Sequence, residues 1–154
     1  MAKYMLPGNQ ATISSSYKTA ALVTATSGSL KRVKIAEIIV GASANPNSTD
    51  TYIQFDLSRQ TAVGTSTAFT PNQVDPADTA ALATAGINST AEGTITSNSS
   101  VFNDSINQRG TLRWQEPDES KMPIGPATAA AGFALRGQSS TYAGSVTGQL
   151  GFLE

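Results

Sequence analysis

From Tyr52 to Ser58 apolar and polar side chains alternate, with Ile53, Phe55 and Leu57 set against Tyr52, Gln54, Asp56 and Ser58. A period of two predicts a half-buried strand whose apolar set shares one face. The same alternation recurs at Ala21–Thr26, where one or two strands are predicted within Ala11–Thr26, and at Val33–Ile35. Ile38-Ile39-Val40 then runs unbroken, and its β-branched content between Gly28 and Gly41 predicts a strand with a bulge near Ala36–Glu37. Leu112 and Trp114 alternate within Thr111–Gln115, and Phe133 and Leu135 within Ala131–Arg136. The alanines before Phe133 would suit a helix, but Gly132 among them costs about 1 kcal/mol there. In the last strand, within Thr141–Glu154, Val146, Gly148, Leu150 and Phe152 share a face. Ile87–Ser100 predicts one exposed strand, and Val101–Asn107 a strand or a single helical turn.

Between these segments lie turns. Ser27–Ser29 reads as a turn and Ser43–Asp50, with Asn45-Pro46 inside, as a loop. That loop joins two strong strands, so Lys31–Ala42 and Thr51–Leu57 are expected to pair antiparallel. Arg59–Pro71 reads mostly as loop, with a short strand near Ala68–Thr70. Asp75 is a good N-cap and Pro76 suits a first helical position, which predicts a short helix from Pro76 to about Ala83, closed near Gly86. Met1–Gln10 carries Tyr4, Met5 and Leu6. It reads as a first strand or as an N-terminal arm docking on a neighbouring subunit, and on the second reading its removal would leave the domain folded.

Together these signals predict an all-β fold: one domain, 1–154, built as an antiparallel β-sandwich, jelly-roll-like, with one short helix in a long connection. The inner faces would come from Val33, Ile35, Ile53, Phe55, Leu57, Leu112, Trp114, Phe133, Leu135, Leu150 and Phe152.

Composition narrows the chemistry. Only 14% of residues are charged, the net charge is -1, and there is neither Cys nor His. Thiolate chemistry, Cys-based zinc sites, a Ser-His-Asp triad and imidazole metal sites cannot be built. The charge balance gives no drive towards nucleic acid or an anionic membrane. No long apolar run is present, so neither a signal peptide nor a membrane span is expected. Lys31, Arg32 and Lys34 read as a solvated face or a subunit contact. Glu116, Asp118 and Glu119 lack the spacing of a calcium loop. Asp56 and Arg59 would form a surface pair. An enzyme using carboxylates alone, Asp56 with Glu37 or Glu116, would need a buried carboxyl of raised pKa, which polar strand faces and loops do not offer. The reading is therefore not an enzyme, with no cofactor, no metal and no catalytic residue.

The run FDLSRQTAVGTSTAFTPNQVDPADTAAL, the later NQRGTLRW and the glycine-rich last strand resemble head decoration, or cement, proteins of tailed bacteriophages. The shared features are Phe55-x-x-Ser58-Arg59 on a strand, a Gly/Thr run, Thr70-Pro71-Asn72, Asp75-Pro76-Ala77-Asp78 and a strand ending Arg113-Trp114. The likeness extends from about Ile35 to Phe152. It implies a virion structural protein, usually a homotrimer, bound to the major capsid protein across capsomer junctions on the outer shell, and made in the host cytoplasm. It transfers no residue roles. From the residues themselves, Tyr4, Met5, Leu6, Arg109, Arg113 and Trp114 are candidates for a subunit or capsid interface, Arg and Trp being frequent interface anchors. The alternative is a receptor- or glycan-binding module of a phage fibre or spike, using Tyr52, Asn103, Trp114 and Tyr142.

Overall fold

The alternation at Tyr52–Ser58 belongs to β4 (Tyr52–Ala62), whose Ile53, Phe55 and Leu57 are fully buried. The computed structural model describes residues 1–10, 12–26 and 31–154, so the turn read at 27–29 lies outside the described residues. The other strands are β1 (Lys3–Gln10), β2 (Lys18–Thr24), β3 (Lys34–Ala42), β5 (Thr65–Phe69), β6 (Asn72–Gln73), β7 (Thr84–Ala91), β8 (Thr94–Asn107), β9 (Thr111–Gln115), β10 (Gly132–Gln138) and β11 (Val146–Leu153). One sheet has the order β6-β1-β11-β3-β9 and the other β5-β7-β2-β10-β4-β8. All pairings between these strands are antiparallel.

Setting aside β5, β6 and β7, the sheets read β1-β11-β3-β9 and β2-β10-β4-β8. That is the winding of a jelly roll, in which each successive strand passes to the other sheet except β4 and β8, which pair within one. The pairing expected between Lys31–Ala42 and Thr51–Leu57 is therefore not made: β3 pairs with β11 and β9, and β4 with β10 and β8. The Ser43–Asp50 loop is longer than a tight hairpin turn and spans the two layers, which stack about 10 Å apart.

The bulge in β3 falls where the pattern put it. Glu37 faces Gly151 and Ile35 faces Phe152, so Ala36 is the extra residue. Parity switches there, and Ile38 and Val40 join Val33 and Ile35 in the core. Of the predicted inner face, Val33, Ile35, Ile53, Phe55, Leu57, Phe133, Leu135, Leu150 and Phe152 are buried. Leu112 and Trp114 are half-buried, because β9 is an edge strand.

The helix at Pro76–Ala83 does not form. Asp75 does cap, accepting from the Ala77 amide at 2.9 Å, and Asp78 N–H reaches the Asp75 carbonyl, but this is a single turn. The groups that would extend it are engaged elsewhere. The Asp78 carbonyl accepts from Gln73 Nε2 and the Thr79 carbonyl from the Tyr4 hydroxyl. The amides of Leu82 and Ala83 donate to the Glu154 carboxylate. A nascent turn is weak alone, and these tertiary partners outcompete it.

Arg59–Pro71 is also more regular than its composition suggests. β4 extends to Ala62 and β5 follows at Thr65, while Ile87–Ser100 holds parts of two strands, β7 and β8, rather than one. β4 and β8 run on into β5 and β7 as one antiparallel ribbon, bent at Gly64 and Gly93. The ribbon starts beside β10 and ends beside β2, so it crosses that pair. Glu92, at the bend, accepts from the Thr19 amide and hydroxyl. The crossing accounts for the burial of Leu22, Ala134, Ser58 and Gln60 on the outward face.

Candidate functional site

The interface candidates from the sequence are scattered by the fold. Tyr4 and Leu6 point inward from β1 and are buried, with the Tyr4 ring stacked on Phe152 at 5.5 Å. Residues 3–10 pair with β11 along their whole length, so this segment is a strand of the sandwich and not a projecting arm. Met5, of opposite parity, is half-buried on the outside. Arg109 lies in the turn after β8, held by Asp50 at 2.8 Å and by the Asn47 carbonyl at 3.0 Å. Arg113 and Trp114 are neighbours in β9 and face opposite ways: Trp114 packs on Phe102 under the sandwich edge, while Arg113 reaches Glu37 on the outer surface. The receptor set is equally divided. Tyr142 is buried with its hydroxyl on the Ser145 carbonyl, whereas Tyr52 is 56% exposed.

The outer face of the five-stranded sheet carries one buried carboxylate. Glu37 projects outward after the β3 bulge and is covered by Lys3 Nζ at 3.1 Å and Arg113 Nε at 2.6 Å. Burial alone would raise its pKa. The two cations outweigh that, and the carboxyl sits below its ordinary value.

The outer face of the six-stranded sheet carries the other. Even-numbered residues of β4 point outward, and Asp56 is 3% exposed there. Its Oδ2 accepts from Ser58 Oγ at 2.7 Å and from Arg136 Nη2 and Nε at 2.6 and 3.1 Å. Its Oδ1 accepts from Ser100 Oγ. Burial again pushes the pKa up, and Ser100, Ser58 and Arg136 together hold it below the ordinary range. Arg136 lies over the Tyr17 ring, 4.5 Å from its centre. Asp56 and Arg59 form no pair, because residues three apart on a strand face opposite ways; Arg59 lies over Phe133 instead.

A wall rises beside this network. Ser58 faces Ser100 and Gln60 faces Ile95, so β8 inserts Thr96–Ser99 opposite the single residue Arg59. Asn98 takes a left-handed φ of 55° in this bulge, and Ser99 Oγ ties it down through the Arg59 amide and the Thr96 carbonyl. Wall, Tyr17 and the Asp56–Arg136 floor border an open groove of about 460 Å³. The parity of Asp56 and Arg136 was readable from their strands. Tyr17 and the bulge carried no signal beyond polar composition.

A third feature is apolar. Five large hydrophobic residues are exposed among those described, and three of them, Met1, Val74 and Leu82, belong to segments that hydrogen bonds tie together at one end of the sandwich. Val74 N–H donates to the Lys3 carbonyl, Glu154 N–H to the Ala2 carbonyl, and the Glu154 carboxylate holds the Leu82 amide. Beside them Phe69, Pro71, Ala81 and Ala83 line a shallow hollow of about 230 Å³.

Among the described residues no group of three or more Asp or Glu is placed to hold a metal ion. Glu37 and Asp56 stand on opposite outer faces, so they share no reaction centre. Comparison with protein-family models, with curated proteins and with solved structures returns no match.

Proposed function

We propose that this chain is a structural, non-enzymatic protein of a tailed-phage head: a cement protein that associates as a homotrimer, binds the major capsid protein across capsomer junctions and reinforces the shell. The observation that carries the reading is the apolar end formed by Met1, Val74 and Leu82 on a chain with so little charge. Exposed apolar clusters on an otherwise polar surface mark protein contacts. Ser, Thr, Ala and Asn surfaces desolvate more cheaply than charged ones, as interface cores require. The two buried carboxylates are neutralised by Arg or Lys and have lowered pKa values, which is the reverse of what a general acid needs.

The test is the solution mass of the full chain by light scattering, followed by co-sedimentation with undecorated phage heads. A trimer that sediments with heads is expected. The Val74→Asp, Leu82→Asp double variant should keep its circular dichroism spectrum and thermal midpoint and lose the trimer or the heads. A wild-type monomer that stays in the supernatant would sink the proposal.

A further inference from the structure

We infer that the groove between Tyr17, the Thr96–Ser99 bulge and the Asp56–Arg136 pair is a binding site for a neutral saccharide. The site is separate from the apolar end and does not depend on shell binding.

The first argument concerns what the network is for. A buried ion pair contributes little net stability, since desolvating both charges offsets their attraction, and apolar replacements are often neutral or better. Position 56 is on an outward face, where the pattern asks for no charge at all. Asp56 accepts four hydrogen bonds, two from Arg136 and one each from Ser58 and Ser100, so both its oxygens are engaged. It is a positioning residue: it fixes the guanidinium of Arg136 and the hydroxyls of Ser58 and Ser100.

The second argument is that donors converge on the groove without good partners. Among the described residues Asn103 Nδ2 contacts Tyr17 Oη and Asp56 Oδ1, both at 3.4 Å and beyond the usual hydrogen-bond range. The orientation of this amide is nevertheless set, because its Oδ1 accepts from Gln54 Nε2 at 2.9 Å and Gln54 in turn accepts from Gln138 at 2.7 Å. Arg136 turns Nε and Nη2 to Asp56, and Nη1 makes no hydrogen bond among the described residues. An amide, a phenol and a guanidinium edge thus face the same space.

The third argument is shape and charge. A volume of about 460 Å³ is within the range of small-ligand sites. Asp56 and Arg136 cancel, so the floor has no net charge and favours no anion. Hydroxyl-rich rings, which donate and accept at once, match a lining of Asn, Ser, Thr and Tyr. The left-handed φ of Asn98, a conformation Asn adopts readily, turns the chain to form the wall.

The experiment is saturation-transfer NMR of the full chain against neutral oligosaccharides of glucose, galactose, mannose and N-acetylhexosamines, with sialylated and uronic-acid oligosaccharides alongside. At least one neutral oligosaccharide should bind. Asn103→Ala and Tyr17→Ala should each weaken it, by up to about tenfold for a lost hydrogen bond. Asn103 is exposed, so its variant should keep the wild-type thermal midpoint. Arg113→Ala, on the opposite outer face, should bind as wild type. No binding to any neutral sugar, binding confined to the acidic ones, or affinity unchanged in both groove variants would overturn the assignment.

Discussion

Besides the exposed Asp50 and Asp118, whose carboxyls Arg109 and Ser120 also hold below their ordinary values, the pH response of this protein rests on the buried Asp56 and Glu37. Each is held below its ordinary pKa, so each titrates lower in the folded chain than in the unfolded one. Their contribution is complete at neutral pH. It declines once pH drops below the unfolded carboxylate values, about 4, and is gone below the folded ones. Thermal midpoints measured between pH 7 and pH 3 should therefore hold steady and then fall, and the fall should be shallower in Asp56→Asn and Glu37→Gln. Arg136→Ala is the harsher change. It strands a buried carboxylate and should cost about 3–5 kcal/mol in urea denaturation. At this scale the sequence told only half. Strand parity put Asp56 outward, but its partner is 80 positions away, and local pattern holds no information on such a pairing.

Elements were legible where their signals were local. The bulge at Ala36 followed from a break in alternation within a single strand. The Pro76 helix had a correct cap and still failed, because its carbonyls and amides were claimed by Tyr4, at a separation of 75, and by Glu154. The bent ribbon was hidden for a related reason. Thr, Ser, Ala and Gly read as loop, and only pairing with a distant strand makes Thr65–Phe69 regular. Gly64 and Gly93 mark the bend, where a Cβ on Gly64 would run into the Ala91 carbonyl. Gly64→Ala should therefore destabilise by about 2–3 kcal/mol in urea, a large effect for one methyl group. A variant as stable as wild type would mean that the ribbon bends elsewhere.

For the whole molecule, the sandwich and its winding were within reach of strand count and turn spacing, whereas the partition of strands between sheets was not. The consequence is clearest at the first strand. Deleting Met1–Gln10 removes Tyr4 and Leu6 from the core and strips β11 of one neighbour. The truncated chain should lose its cooperative thermal transition, the reverse of what a detachable arm would give. β11 itself has a further bearing. It lies between β1 and β3, pairing Lys3 with Leu153 and Gln149 with Ile39. The five-stranded layer is therefore incomplete until Val146–Leu153 has been synthesised, more than a hundred residues after β1. Until β11 is available, β1 and β3 stay unjoined and their apolar faces uncovered. Closing contacts this distant along the chain is slow, on the order of milliseconds to seconds for β-sandwiches. The interval between synthesis and closure is thus the period in which this protein is most exposed to aggregation and most in need of a chaperone.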